Sequence, residues 1–288
     1  MLWTDILSGD FEAAVEQSKG VCGLVVGCVE HHGKHLPLGQ DVIHAGGVAE
    51  IAAEKEPIVL FPHMYFGEKQ GAGEFAGTII FSSKLIFDIL TETCAEIARN
   101  GFKKIVLING HGGNVAMLNN FARSILHDKN EYMVFVYNSS SAWPKVSEMI
   151  EMIDGGKRDY FPELTDDDIQ VLRNHVANCK VSGHGCFRET GITLGLRPDL
   201  VDLSRLNDVD GCSTHRLDHI SKAGFYTPFG WMSSYPNSLS SDGHDGNNER
   251  IGRSLVKYAS DKMAEAFKIL KDDAECEKYM YEWLAKQK

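Results

Sequence analysis

The stretch KKIVLINGHGGN at 103–114 decides the fold. Its first seven residues, Lys103–Asn109, form a short run rich in isoleucine and valine and bounded by polar residues, the composition of a buried strand. The run passes without a spacer into Gly110-His111-Gly112-Gly113-Asn114, and a helical pattern follows at about 115–128. Strand, polar loop and helix in that order are the repeating half of a βαβ unit. Working outward, VCGLVVGCV at 21–29, IVLFP at 58–62 and MVFVY at 133–137 read as three further strands. Residues 42–55 and 83–100 read as helices, the second closed by Asn100-Gly101. Alternation of this kind implies right-handed crossovers and a mainly parallel sheet with helices on both faces, an α/β fold of three layers, α/β/α.

Downstream, 145–176 is acidic and helical in pattern, and 190–196 resumes an apolar pattern that Arg197-Pro198 ends. The stretch 205–246 is rich in Gly, Ser, Pro and Asp and reads as loop; a long helix at about 248–271 and a short C-terminal helix follow. Without an internal repeat or a low-complexity linker, residues 1–288 are expected to form a single domain.

Composition narrows the function classes. The chain has 43% hydrophobic and 24% charged residues, the balance of a globular protein with a sizeable core. A net charge of −11 disfavours nucleic acid, whose phosphates demand a basic surface. Seven cysteines without a CxxC pair argue against a disulfide framework and for a reducing compartment. With neither a signal-peptide pattern at the start nor an apolar run of spanning length, a cytoplasmic protein without membrane contact is expected.

Three polar clusters fall where open α/β sheets bind ligands, beyond the strand ends. They are Glu30-x-His32 with Asp41, His111 in its glycine-rich turn, and His184 with Glu189. Imidazoles and carboxylates gathered from separate strands suit zinc, manganese or iron, and one carboxylate can bridge two ions. Gly110, Gly112 and Gly113 leave room for backbone to approach a ligand, or make an ordinary tight turn.

These residues carry a family resemblance. GCVEHHGKHLPLGQD at 27–41 resembles the creatininase signature E-x-H-G-x-H-L-P-L with its following Asp. NGHGGN at 109–114 resembles that family's second signature, HGCFRETGITLGLRPDLVD at 184–202 its third, and GEFAGTI at 73–79 its F-P-G-T loop. The resemblance runs from roughly residue 20 to 205, with a weaker echo near 240–265. It implies hydrolysis of a non-peptide C–N bond, in a cyclic amide or formamide, by metal-activated water, with two divalent ions bound and a homo-oligomer, often a hexamer. Glu30, Asp41 and His111 resemble the ligands of one ion, His32 and a bridging Asp41 those of the other, and His184 the imidazole that moves protons.

Departures bear on the second ion and on substrate. Gly113 stands where the creatinine-cleaving enzymes carry a glutamate ligand. Either Glu189 supplies the carboxylate, with a catalytic part beside His184, or the second ion is weakly held or absent. The aromatic positions that enclose creatinine correspond to Gly112, to the neighbourhood of Cys179 and Lys180, and to that of Ser139, so a more open and polar pocket and a substrate other than creatinine are expected. Gly112, Gly113, Lys69 and Lys180 are candidates for contact with that substrate; the two lysines could equally be solvated surface residues. Arg188 reads as a substrate neighbour or as half of a structural ion pair. His31 and His35 are expected to pack or to stand behind the ligands, and His44 and His63 to have no direct part. Asp242 and His244 could reach a neighbouring active site or simply make a turn. Trp143 and Trp231 read as packing residues. Two other functions fit the same residues: hydrolysis of a cyclic ketone, oxidised cyclitol or lactone-like sugar, and metal binding without turnover as a processing partner for a peptide.

Overall fold

The computed structural model describes residues 1–138, 143, 145–243 and 246–287. Strands β1 (Val21–Val26), β2 (Val59–Met64), β3 (Lys104–Asn109) and β4 (Met133–Asn138) form one parallel sheet in the order β2-β1-β3-β4. α1 (Phe11–Gln17) precedes β1, and α2 (Gln40–Lys55), α3 (Ser83–Arg99) and α4 (Asn114–Ser124) run between successive strands. After β4 come α5 (Val146–Asp154), α6 (Asp166–Asn178), α7 (Phe187–Leu196) and two short turns of helix, α8 (Asp218–Lys222) and α9 (Gly230–Ser234). The long α10 (Glu249–Asp272) and α11 (Glu275–Lys286) follow. No helix among the described residues is long and apolar enough to cross a membrane.

β1 and β3 are buried at every position, and their side chains divide by alternation. Val21, Val25, Val106 and Ile108 enter a core shared with α2, α5, α6, α7 and α10; Cys22, Leu24, Val26, Ile105 and Leu107 enter a second core with α1, α3 and α4. Strands apolar on both faces require cover on both, and the three α/β/α layers follow. Val26 pairs with Asn109, so the residues after β1 and β3 leave the sheet side by side.

Two expectations need refinement. The acidic segment 145–176 is two helices, because Gly155-Gly156 stops α5, with Gly156 at φ +85°, and a new cap at Thr165 starts α6. The apolar stretch from 190 belongs to a helix that begins three residues earlier, at Phe187, which places Glu189 in its first turn. α7 lies directly on α10. A Cβ built on Gly252 would sit 2.2 Å from the Gly191 carbonyl oxygen, so the two backbones meet with no side chain between them.

The cap of α6 yields a stability prediction. The Thr165 hydroxyl and the Asp168 carboxylate satisfy each other's backbone N–H groups, and Arg250 of α10 reaches Asp168 with Nε at 2.8 Å and Nη2 at 3.0 Å. Burial alone would raise the Asp168 carboxyl; hydrogen bonds from Arg250, Thr165 and Asn248 outweigh it and hold the group well below the usual carboxylate range. Asp168→Ala is expected to cost roughly 2 kcal/mol in urea unfolding at pH 7. Because the folded-state pKa is depressed, that contribution is present above the unfolded value of about 4 and fades as pH falls through the folded one. The gap between wild type and variant should therefore narrow below about pH 4; an unchanged gap at acid pH would overturn the assignment.

Candidate functional site

β1 ends at Val26, and the segment beyond it buries Cys28, Glu30 and His32, with Val29 and His31 between them partly exposed, at the C-terminal edge of the sheet. β3 ends at Asn109, whose side-chain oxygen accepts from the His111 backbone N–H at 3.0 Å and holds the turn. Asp41 lies in the first turn of α2. Gly110 lets that turn press against the β3 loop: a Cβ there would fall 2.5 Å from the Asp41 carbonyl oxygen. The Asn114 side chain ties the parts together, donating to the Val26 carbonyl at 3.1 Å and accepting from the Glu68 N–H at 2.6 Å.

The result is a buried cluster on the floor of a cavity of about 1210 Å³. Asp41 Oδ1 lies 3.1 Å from His32 Nε2, and Asp41 Oδ2 lies 2.9 Å from His111 Nδ1, which is also 3.2 Å from Glu30 Oε2. His32 Nδ1 is 3.0 Å from the Glu30 carbonyl, which can only accept, so Nδ1 carries a proton and Nε2 is the atom turned to the cluster. Glu30 Oε1 makes no aligned hydrogen bond; it faces the Lys69 ammonium at 2.6 Å and His184 Nε2 at 3.5 Å. The His184 ring stacks on His32 with centroids 3.8 Å apart. Its Nε2 lies 2.8 Å from the His31 carbonyl and donates to it, which leaves Nδ1 with the free lone pair.

Charges in so dry a place shift one another. Burial pushes Glu30 upward, but His184, His111 and His32 outweigh it and hold the carboxyl at about 2. Burial alone would lower His32; Asp41 overrides it and carries the imidazole up to about 10. His184 goes the other way, lowered to about 3 by burial and then by His32. Burial raises Glu189. A depressed imidazole and a raised carboxyl thus line one cavity.

The donor atoms fit a divalent ion. Among the described residues, two groups place their ligand atoms within 4.8 Å of one another: Cys28, Glu30, Asp41 and His111, and Glu30, His32 and His184. Two buried carboxylates sharing Glu30 and Asp41 oxygens with imidazoles, one oxygen of them unaligned with any donor, are a set that a cation completes.

The sequence candidates divide. Glu30, His32, Asp41, His111 and His184 come together. Glu189 lines the same cavity but stands outside both groups, with Oε2 accepting from the Gly185 N–H at 2.7 Å. Gly113 lies close to His111: a Cβ would sit 2.5 Å from His111 Nε2 and 2.8 Å from the Glu68 carbonyl oxygen, so this backbone leaves no space for a glutamate. Gly112 lines the open side, with nothing within 4 Å of a built Cβ. Lys69 is buried, not a solvated lysine, because its loop folds back over the strand ends. Lys180 is exposed and outside the cavity lining; its backbone N–H donates to Asp242 Oδ2 at 3.0 Å. Arg188 lines the cavity and, among the described residues, forms no ion pair. Asp242 also accepts from Cys179, at 3.1 Å, away from the cluster. His31 stacks on Phe75, His35 bonds Thr190, His63 meets Glu50, and His44 lies against the buried Trp143. Ser139 and His244 lie outside the described residues.

Trp231 corrects the packing expectation. It stands edge-on to His184 with centroids 5.1 Å apart, carries Lys69 Nζ 5.0 Å above its ring, and lines the cavity. Residues 205–246 gave no periodic signal that could place it. Cys28 was also missed, although its spacing of two from Glu30 on an extended segment put both side chains on one face.

Comparison with known proteins bears on this arrangement. The family model "Creatininase: Creatinine amidohydrolase" matches residues 4–267. A creatinine amidohydrolase of Pseudomonas putida is 27% identical over 209 residues, 69% of this chain and 73% of that protein. A mycofactocin precursor peptide peptidase of Mycobacterium tuberculosis (strain CDC 1551 / Oshkosh) is 34% identical over 103 residues, 32% of this chain and 41% of its own length. The solved structure of a creatininase in a manganese form superposes with a TM-score of 0.71 at 20% identity, covering 94% of this chain and 99% of that one, a likeness of fold.

Proposed function

The chain belongs to the creatininase family, whose members are metal-dependent amidohydrolases, and from that premise we propose that it hydrolyses a non-peptide C–N bond, in a cyclic amide or formamide, of a small polar molecule other than creatinine. One observation carries the proposal: two overlapping sets of metal-ligand atoms share Glu30 at the floor of a roomy cavity.

Glu30, Asp41 and His111 would hold one divalent ion, zinc or manganese, and His32 with the shared carboxylates a second. A bound divalent ion supplies Lewis acidity and a lower pKa for water. The chain's own residues do the rest. His184, kept neutral by burial, takes up a proton at Nδ1 while its Nε2–H stays on the His31 carbonyl, and gives that proton to the departing nitrogen. Glu189 holds the turn that carries His184 through the Gly185 N–H, and its raised carboxyl offers a second proton site. Lys69, held over Trp231, places a positive charge at Glu30 and beside the substrate. Glu68, Gln70, Ser83, Lys84 and Asn120 line the same cavity as Phe87, Met117, Tyr226 and Trp231, so hydrogen-bonding groups stand among apolar walls and can orient a polar ligand. Residues 1–288 are taken to act as one domain in a homo-oligomer.

The test is a panel of cyclic amides, formamides, cyclic ketones and short peptides, offered to protein loaded with zinc or manganese. Turnover of an amide or formamide, with creatinine inert, is the expected result. Turnover confined to cyclic ketones would move the assignment to oxidised cyclitols, which the polar lining also suits. No turnover of any member, with metal bound, would leave a metal-binding protein without hydrolase activity.

A further inference from the structure

Cys28 is a donor in the cluster that the proposed reaction does not use. Its side chain is buried, and Sγ lies 2.9 Å from Asp41 Oδ2 and 3.5 Å from Glu30 Oε2. His111 Nδ1 lies 2.9 Å and 3.2 Å from those same two oxygens. Sulfur and imidazole nitrogen therefore approach one pair of carboxylate oxygens, and all four ligand atoms fall within 4.8 Å of one another. Four mutually close donors from four side chains are the makings of a tetrahedral site.

We propose that Cys28 is a thiolate ligand of the ion held by Glu30, Asp41 and His111, making that site one of mixed nitrogen, oxygen and sulfur donors that selects zinc or cobalt(II) over manganese. The inference rests on the cluster being a metal centre. On binding, the sulfur–hydrogen bond breaks, a sulfur–metal bond forms and the proton leaves to solvent; nothing is oxidised or reduced. Selectivity follows from donor character, since thiolate favours zinc and its softer neighbours whereas manganese prefers all-oxygen sets. Of the other cysteines, Cys22 and Cys94 lie in the second core, and Cys179 meets Asp242 elsewhere, so none of these three competes for this ion.

The experiment is a titration of metal-stripped protein with cobalt(II) chloride, for wild type, Cys28→Ser and Cys28→Ala. Visible d–d bands report cobalt bound by any donors; a near-ultraviolet charge-transfer band reports thiolate bound to cobalt. Both bands are expected to rise together in wild type, and the serine variant is expected to keep the visible bands and lose the ultraviolet one. Zinc affinity relative to manganese should fall by more than about tenfold in that variant. Visible bands without charge transfer in wild type would mean that Cys28 stays a thiol hydrogen-bonded to Asp41, and the proposal would fall while the metal centre stands. A charge-transfer band undiminished in both variants would trace the sulfur to another cysteine and overturn it as well. No cobalt bound by wild type would instead sink the metal-centre reading itself.

Discussion

His184→Ala is expected to lower kcat by about 10²–10⁴-fold, the usual worth of a positioned acid–base group, and to leave bound metal in place. The expectation follows from the position of the ring. His184 touches the cluster through His32 and Glu30, but the group formed by Cys28, Glu30, Asp41 and His111 is complete without it. With Nε2–H given to the His31 carbonyl, the ring has one tautomer and one free lone pair, on Nδ1. Removing it takes away the proton carrier and not the ligands that retain the first ion. The measurement is kcat and KM on whichever panel substrate turns over, beside metal content by elemental analysis. A variant with normal kcat would end this role. A variant that lost all its metal would make His184 a structural ligand instead.

Asp41→Ala is expected to do the opposite: to empty the site and so to remove activity by way of the metal. One carboxylate meets His32 through Oδ1 and His111 and Cys28 through Oδ2, joining three donors across both ligand groups. Losing a partner that stands behind a ligand typically costs 10–100-fold in metal affinity; losing this carboxylate should cost more than about 100-fold. Asp41→Asn keeps the shape and one acceptor while removing the charge, and it should fall between wild type and alanine. Circular dichroism of both variants separates metal loss from unfolding. A folded alanine variant with its full complement of metal would overturn the placement of Asp41 between the two groups.

The fold was legible because its strands are unusually plain. KKIVLIN and VCGLVV are apolar on both faces, and only a strand covered on both sides by helices can bury such a run. The ligands were legible for a related reason: Glu30, His32 and His111 follow directly from strand ends, where the chain has little freedom to carry them elsewhere. What escaped was set by loops. Lys69 could be solvated or buried on sequence grounds, and the outcome depends on how residues 65–82 fold over the first motif, which the Ile79 N–H settles by bonding the Val29 carbonyl at 3.0 Å. Trp231 belongs to a stretch without periodicity and reaches His184 only because Ser238 and Ser240 bind the backbone at His31 and His184. Glu189 lines the cavity beside the two ligand groups rather than within either. One turn of helix decides its position, and that turn directs an oxygen to the Gly185 N–H.

The bare contact between α7 and α10 has a consequence for how the site is aimed. Glu189 and the end of the His184 turn ride on the first residues of α7, and α7 rests backbone to backbone on a helix some sixty residues further along the chain. Where Gly191 and Gly195 meet Gly252 no side chain can compress or rotate, and at that crossing the pair is a rigid mount rather than a cushioned one. The aim of the His184 imidazole is therefore calibrated by the C-terminal part of the molecule, and a methyl group added at Gly252, which does not touch the cluster, is expected to shift α7 and the His184 turn with it.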